Sequence, residues 1–294
     1  MGRHVLGATA QHVFSGSAPA APAYAAGQRD NQPEPSHADV VYAKPILCCL
    51  TNLHGRRLKL LFILAFGHTL VPDQQTVFCG RRRYKTVGER ELRLDLYLPA
   101  VASAEPAPLV MWLHGGGWRN GSYKNAPSWL VQYGIAVASV EQRPITEIGW
   151  PAQIEDPRDA LAFLRARAGA AYPIDPARFG AFGGSSGGHL VALLGTTSSK
   201  HGRPESAVQA VCDMFGPTDL LSMPPNKLGY GRDIGRERTL EDISTSNGAV
   251  MLGATVRDIP ERAKEASAFW QADGSACPFL FLHGDEDFGV RPSF

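Results

Sequence analysis

The stretch RFGAFGGSSGGHLVALLG, Arg178–Gly195, decides the fold. Its opening RFGAF (Arg178–Phe182) reads as a buried strand, and its close GHLVALLG (Gly188–Gly195) as a helix. Between them, Gly183, Gly184, Gly187 and Gly188 surround two serines in the layout G-x-S-x-G. That is a nucleophile elbow, a strand-to-helix turn too tight for bulky neighbours. The pattern fits in two registers, centred on Ser185 or on Ser186. Ser185 is the better centre, because the helix then starts with its N-terminus aimed at the site. A phosphate-cradling loop is the competing reading, but neither G-x-x-x-x-G-K-[ST] nor G-x-G-x-x-G occurs.

Outward from this turn, strands and helices alternate. ELRLDLYLP (Glu91–Pro99) sets Leu92, Leu94, Leu96 and Leu98 against polar neighbours, a half-buried strand ended by its proline. PLVMWL (Pro108–Leu113) and GIAVASV (Gly134–Val140) are continuously apolar, as strands covered on both faces are. DPRDALAFLRARA (Asp156–Ala168) reads as a helix with Asp156 as N-cap, Pro157 in the first position and a stripe of Ala160, Leu161, Leu164 and Ala168. AVQAVCDMF (Ala207–Phe215) and PFLFL (Pro278–Leu282) supply two more strands. The expected class is α/β, a mostly parallel sheet with helices on both faces and the site at the carboxyl ends of its strands. The polar segment 222–268, with its turn-prone MPPNKLGYG (Met223–Gly231), reads as a surface loop in preference to a partial cap.

Two further motifs fall at strand ends. HGGGW (His114–Trp118) follows the strand Pro108–Leu113. Acyl transfer places negative charge on a carbonyl oxygen, and bare glycines let backbone N–H groups approach it. His114 reads as a loop-shaping hydrogen bonder rather than a base. HGDEDFGV (His283–Val290) follows the strand Pro278–Leu282 and offers Asp287 as a carboxylate for a histidine partner, with Asp285 and Glu286 as competitors.

Taken together, HGGGW, GGSSGGHL and HGDED, with WPAQIED (Trp150–Asp156), DMFGPTDL (Asp213–Leu220) and KEAS (Lys264–Ser267), resemble the α/β-hydrolase superfamily. More narrowly, they are similar to its carboxylesterase branch, the hormone-sensitive-lipase-like and feruloyl/acetyl-xylan-esterase-like group. The resemblance implies the α/β-hydrolase fold and hydrolysis of carboxylic esters, through an acyl-enzyme on Ser185. It implies Asp287 as the triad acid and the backbone N–H groups of Gly116, Gly117 and Ser186 as the oxyanion hole. It implies no metal and no organic cofactor, and a small-molecule ester as the partner, with short-chain acyl or acetyl/feruloyl esters as the class. Serine peptidases and arylformamidases of the same superfamily share much of this geometry.

One part is wanting. The superfamily order is Ser, then Asp or Glu, then His. All nine histidines precede Asp287. His189 begins the helix, so its ring should point away from Ser185; His283 is the nearest substitute. The chain therefore reads as interrupted at its C-terminus, without the family's last strand and helix, and as nearly inactive in this form. A non-catalytic binding protein on the same fold is the alternative.

The rest of the chain narrows the class. Lys and Arg total 29 against 28 Asp and Glu, a formal net charge of +1, which offers nothing to draw nucleic acid. The five cysteines, Cys48, Cys49, Cys79, Cys212 and Cys277, form neither a CxxC pair nor a zinc spacing. Residues 1–75 form an Ala/Pro-rich and polar extension with no period of 2 or 3.6, which reads as disordered, ahead of a hydrolase domain over 76–294. Within the extension Arg56, Arg57 and Lys59 precede LLFILAF (Leu60–Phe66), the layout of a secretory signal over 56–71 that is too short to span a bilayer. If that signal is used from an internal start, the protein is secreted or periplasmic; otherwise it is cytoplasmic.

Overall fold

In this computed structural model, the structure describes residues 76–100, 105–197, 200, 202–223, 244–284, 287 and 290. The extension 1–75 and its signal-like segment lie outside them. Among the described residues, seven strands form one sheet: β1 (Thr76–Val87), β2 (Arg90–Pro99), β3 (Ala107–Leu113), β4 (Ala136–Val140), β5 (Ile174–Gly184), β6 (Ala210–Met214) and β7 (Phe279–Leu282). Their order across the sheet is β1-β2-β4-β3-β5-β6-β7. β1 and β2 pair antiparallel, as do β2 and β4, and every pair from β4 to β7 is parallel.

The period of two sorts the strand residues onto two cores. On one face Leu109, Met111 and Leu113 of β3 join Ala136, Ala138 and Val140 of β4. On the other, Val110 and Val137 meet Phe182 of β5 and Cys212 of β6. Five helices contribute to the first face: α1 (Ala152–Arg165), α2 (Ser186–Thr197), α3 (Asn247–Leu252), α4 (Pro260–Glu265) and α5 (Ala268–Gln271). Leu130 and Val131, from the short 3-10 helix Ser128–Tyr133, cover the second. Burial on both faces explains why β3 and β4 carry unbroken apolar runs.

Two expectations need correction. Helix α1 begins at Ala152, so Asp156 is not its cap. Asp156 is fully buried and accepts from Arg143 through both carboxylate oxygens, at 2.7 and 2.8 Å, and from Lys85 at 2.9 Å. A buried ion cluster, rather than a free helix end, accounts for its position. The polar segment is also not a surface loop over its described part. Ala249, Met251, Leu252, Val256, Ala263, Ala266 and Ala268 are buried in the main core. Residues 224–243 of that segment lie outside the described residues.

Candidate active site

The carboxyl ends of β3, β5, β6 and β7 meet at one edge of the sheet, and the motifs meet there with them. β5 ends at Gly184 and α2 starts at Ser186, which leaves Ser185 alone on the turn. Its φ of 54° is a left-handed conformation that a side chain with a Cβ seldom adopts. Hydrogen bonds on both sides hold it: the Ser185 N–H donates to Met214 O at 2.8 Å, and Ser185 O accepts from the His189 N–H at 3.0 Å. Of the two serines, Ser185 is partly exposed, whereas Ser186 is buried and its Oγ has no hydrogen-bond partner among the described residues.

The HGGGW loop leaves β3 and lies directly on this turn. A Cβ at Gly115 would stand 2.9 Å from Gly184 O, closer than packed atoms tolerate, and a tight 3.2 Å from Ser185 Cβ. Glycine is therefore required for the loop to approach the elbow. The loop then turns through Gly116 and Gly117, with φ of 130° and 60°. The structure thus brings Gly116, Gly117 and Ser186 to the same strand end as Ser185. His114 bends back within the loop, with Nδ1 2.8 Å from Gly115 O.

His189 serves the same loop from beneath. It is fully buried, and its Nδ1 accepts from the indole N–H of Trp118 at 3.1 Å. Its Nε2 lies 2.6 Å from Ala266 O, which makes Nε2 the protonated nitrogen of a neutral ring. Burial pushes its pKa down from 6.5 to about 4. Its ring is committed to Trp118 and Ala266, as expected for a residue turned away from Ser185.

Asp287 lies on the loop beyond β7, and the sheet places β6 between that strand and β5. Its Oδ1 accepts from the Val290 N–H at 2.9 Å, and its Oδ2 is 3.5 Å from His283 Nε2. His283 Nε2 is closer to Val290 O, at 2.6 Å. The acid and this histidine thus sit together at the end of β7. Asp285 and Glu286 lie outside the described residues.

Three residues at this edge were given no role by the sequence, although Asp213 and Phe215 lie in the DMFGPTDL motif. Asn247, at the start of α3, accepts from Arg119 Nε of the HGGGW loop and would collide through its amide with any Cβ on Gly117. Phe215 follows β6 with a left-handed φ of 44°. Asp213 is buried, with Oδ1 accepting from the Gly216 N–H at 2.9 Å and Oδ2 unpartnered among the described residues. Burial raises its pKa from 3.8 to about 7. A lone Asn in a polar segment carries no spacing signal, and the DMFGPTDL motif marks Asp213 and Phe215 without saying what they face; the fold brings all three here. Among the described residues no group of three His, Cys, Asp or Glu side chains could hold a metal ion. No helix among them is long and apolar enough to cross a membrane.

The chain is similar to several known proteins. The BD-FAE family model matches residues 94–293. The chain is 28% identical over 211 residues to Esterase LipQ of Mycobacterium tuberculosis, an overlap of 68% of this chain and 47% of that protein. It is 26% identical over 236 residues to Esterase LipC of the same organism, covering 74% of this chain and 55% of that protein. The chain spans about half the length of these curated relatives. Among solved structures, a truncated form of a carbohydrate esterase from gut microbiota superposes with a TM-score of 0.58 at 27% identity, covering 72% of this chain and 79% of the other. With the family model matched across residues 94–293 and the fold shared with these esterases, the chain belongs to the BD-FAE family of the α/β-hydrolase superfamily.

Proposed function

We propose that this protein hydrolyses carboxylic esters through an acyl-enzyme on Ser185. The observation that carries the reading is the left-handed Ser185 at the strand-to-helix turn, with Gly115 of the HGGG loop packed on it. In this reading Ser185 Oγ attacks the ester carbonyl carbon, and the carbonyl oxygen takes the negative charge. The N–H groups of Gly116, Gly117 and Ser186 receive that charge, each such donor lowering the barrier by roughly 3–4 kcal/mol. The C–O bond to the alcohol then breaks, and the alcohol leaves with a proton. Water attacks the acyl-serine, releases the acid and restores the hydroxyl. Asp287 is the carboxylate that would orient a base.

No histidine follows Asp287 in the sequence. The hydroxyl of a serine is a weak nucleophile at its own pKa, and in a serine protease of another fold loss of the triad histidine lowered turnover about a millionfold. The 294-residue chain is therefore expected to turn over very slowly. A binding protein on the same hydrolase fold is the second reading. Esters of carbohydrates with short or aromatic acids are the proposed substrate class, in keeping with the carbohydrate esterase among its structural neighbours.

Hydrolysis of p-nitrophenyl acetate by the wild-type chain and by Ser185→Ala, side by side, tests the proposal. A weak rate that disappears in the variant supports an acyl-enzyme on Ser185. Identical rates in the two proteins would leave the chain without catalysis at this serine and favour the binding reading.

A further inference from the structure

Among the described residues, three that are not glycine have a left-handed backbone: Trp118 with φ of 58°, Ser185 with 54° and Phe215 with 44°. Such a conformation is unfavourable for a bulky side chain and persists only where surrounding contacts enforce it, most often at functional sites. Ser185 is the proposed nucleophile and Trp118 closes the HGGGW loop. The third has no role in the mechanism above.

The turn that enforces Phe215 is built in detail. Met214 O accepts from the Ser185 N–H at 2.8 Å, so the residue before Phe215 is bonded to the nucleophile's own backbone. The Phe215 N–H donates to Leu282 O at 2.8 Å, and the Gly216 N–H to Asp213 Oδ1 at 2.9 Å. A Cβ at Gly216 would stand 2.6 Å from His189 N, so the turn is pressed against the first turn of α2. These contacts fix the backbone of Phe215 and with it the direction in which its side chain leaves the turn. The tip of the ring lies 3.6 Å from where a Cβ on Gly184 would be, beside the residue preceding Ser185. The ring belongs to neither apolar core and is 38% exposed. An aromatic ring held in an unfavourable conformation, outside the core and next to the nucleophile, has one use that burial does not explain: it offers a flat apolar face to what binds there.

We propose that Phe215 is a specificity-determining residue whose ring packs against an aryl group of the ester bound at Ser185. The proposal rests on the esterase reading for the placement of the ester. Its residue assignment can be tested apart from turnover.

Calorimetric titration of the full chain carrying Ser185→Ala, in which no acyl-enzyme can form on the serine, reads binding alone. Methyl cinnamate is the aryl probe and methyl butyrate the aliphatic one. Phe215→Gly removes the ring and frees the backbone, since glycine adopts this φ readily. It is expected to weaken methyl cinnamate about fivefold to tenfold, and to leave methyl butyrate within about twofold. Phe215→Trp is expected to restore the aryl ester. Equal weakening of both probes would mean that the ring only shapes the turn, and overturns the proposal. So would unchanged binding of methyl cinnamate in Phe215→Gly, or no binding of it by the chain with Phe215 intact. A protein that binds methyl cinnamate through Phe215 yet shows no Ser185-dependent hydrolysis would fail as an esterase while keeping this site.

Discussion

His189 and Asp213 meet at one junction beneath the elbow, where a Cβ on Gly216 would lie 2.6 Å from His189 N and 2.5 Å from Asp213 Oδ1. Burial moves their pKa values in opposite directions and past each other, with opposite consequences for stability. His189 falls from 6.5 to about 4, so between those values the unfolded chain binds the extra proton and stability rises with pH. Asp213 rises from 3.8 to about 7, so over that window the folded chain binds the proton and stability falls as pH rises. The two contributions are on the order of 3 and 4 kcal/mol and largely cancel in the wild-type protein. Each variant should expose the other residue. Relative to wild type, Asp213→Asn, which keeps the Oδ1 acceptor, should gain stability steadily from pH 4 to 7. His189→Gln should lose stability over about pH 4 to 6.5. Urea unfolding midpoints at half-unit pH steps read both difference curves; flat curves would show that neither group titrates as described. Sequence alone placed His189 in the helix beside the elbow and turned its ring away. Its partners, Trp118 and Ala266, come from distant segments that only the folded chain brings together.

At the scale of elements, legibility followed burial. β3 and β4 are covered on two faces, and their unbroken apolar runs could be read directly. β1 could not: it is an antiparallel edge strand whose CGRRR stretch holds arginines that pair with carboxylates, so it shows no apolar period. Helices α3, α4 and α5 are too short, at six, six and four residues, to display a repeat of 3.6. They are nevertheless packed into the core, because each contributes small or flexible apolar residues such as Ala249, Met251 and Ala263. Helix α1 misled for a different reason, since Asp-Pro is the composition of a helix start. Here the aspartate holds β1 and the segment after β4 to the helix, through Lys85 and Arg143. Asp156→Ala would strip the mostly buried Arg143 of its carboxylate while Lys85 keeps Asp159 at 2.7 Å, and should destabilise the fold by about 3–5 kcal/mol. Chemical denaturation of the variant measures it. A loss below about 1 kcal/mol would place this cluster with ordinary surface ion pairs.

Across the whole molecule, the proposed chemistry is assembled from two sources. The nucleophile and the oxyanion loop come from β3, β5 and the start of α2, all pressed together through glycine contacts that the sequence announces. The proposed acid comes from the loop beyond β7, and the nine histidines of these 294 residues all precede it in sequence. If the proposed site lacks that base alone, a small base in solution should stand in for it. Imidazole added to the 294-residue chain is expected to raise the hydrolysis of p-nitrophenyl acetate above the rate of Ser185→Ala under the same conditions, which removes the direct reaction of imidazole with the ester. The gain should grow as pH passes through about 6.5–7, because only the neutral ring can accept the serine proton. Asp287→Ala should leave most of this gain intact, since a diffusing base needs no carboxylate to hold its orientation. A difference from Ser185→Ala that stays at zero at every imidazole concentration would mean that the elbow and the HGGG loop are not poised for acyl transfer, and the esterase reading would fail at the site itself.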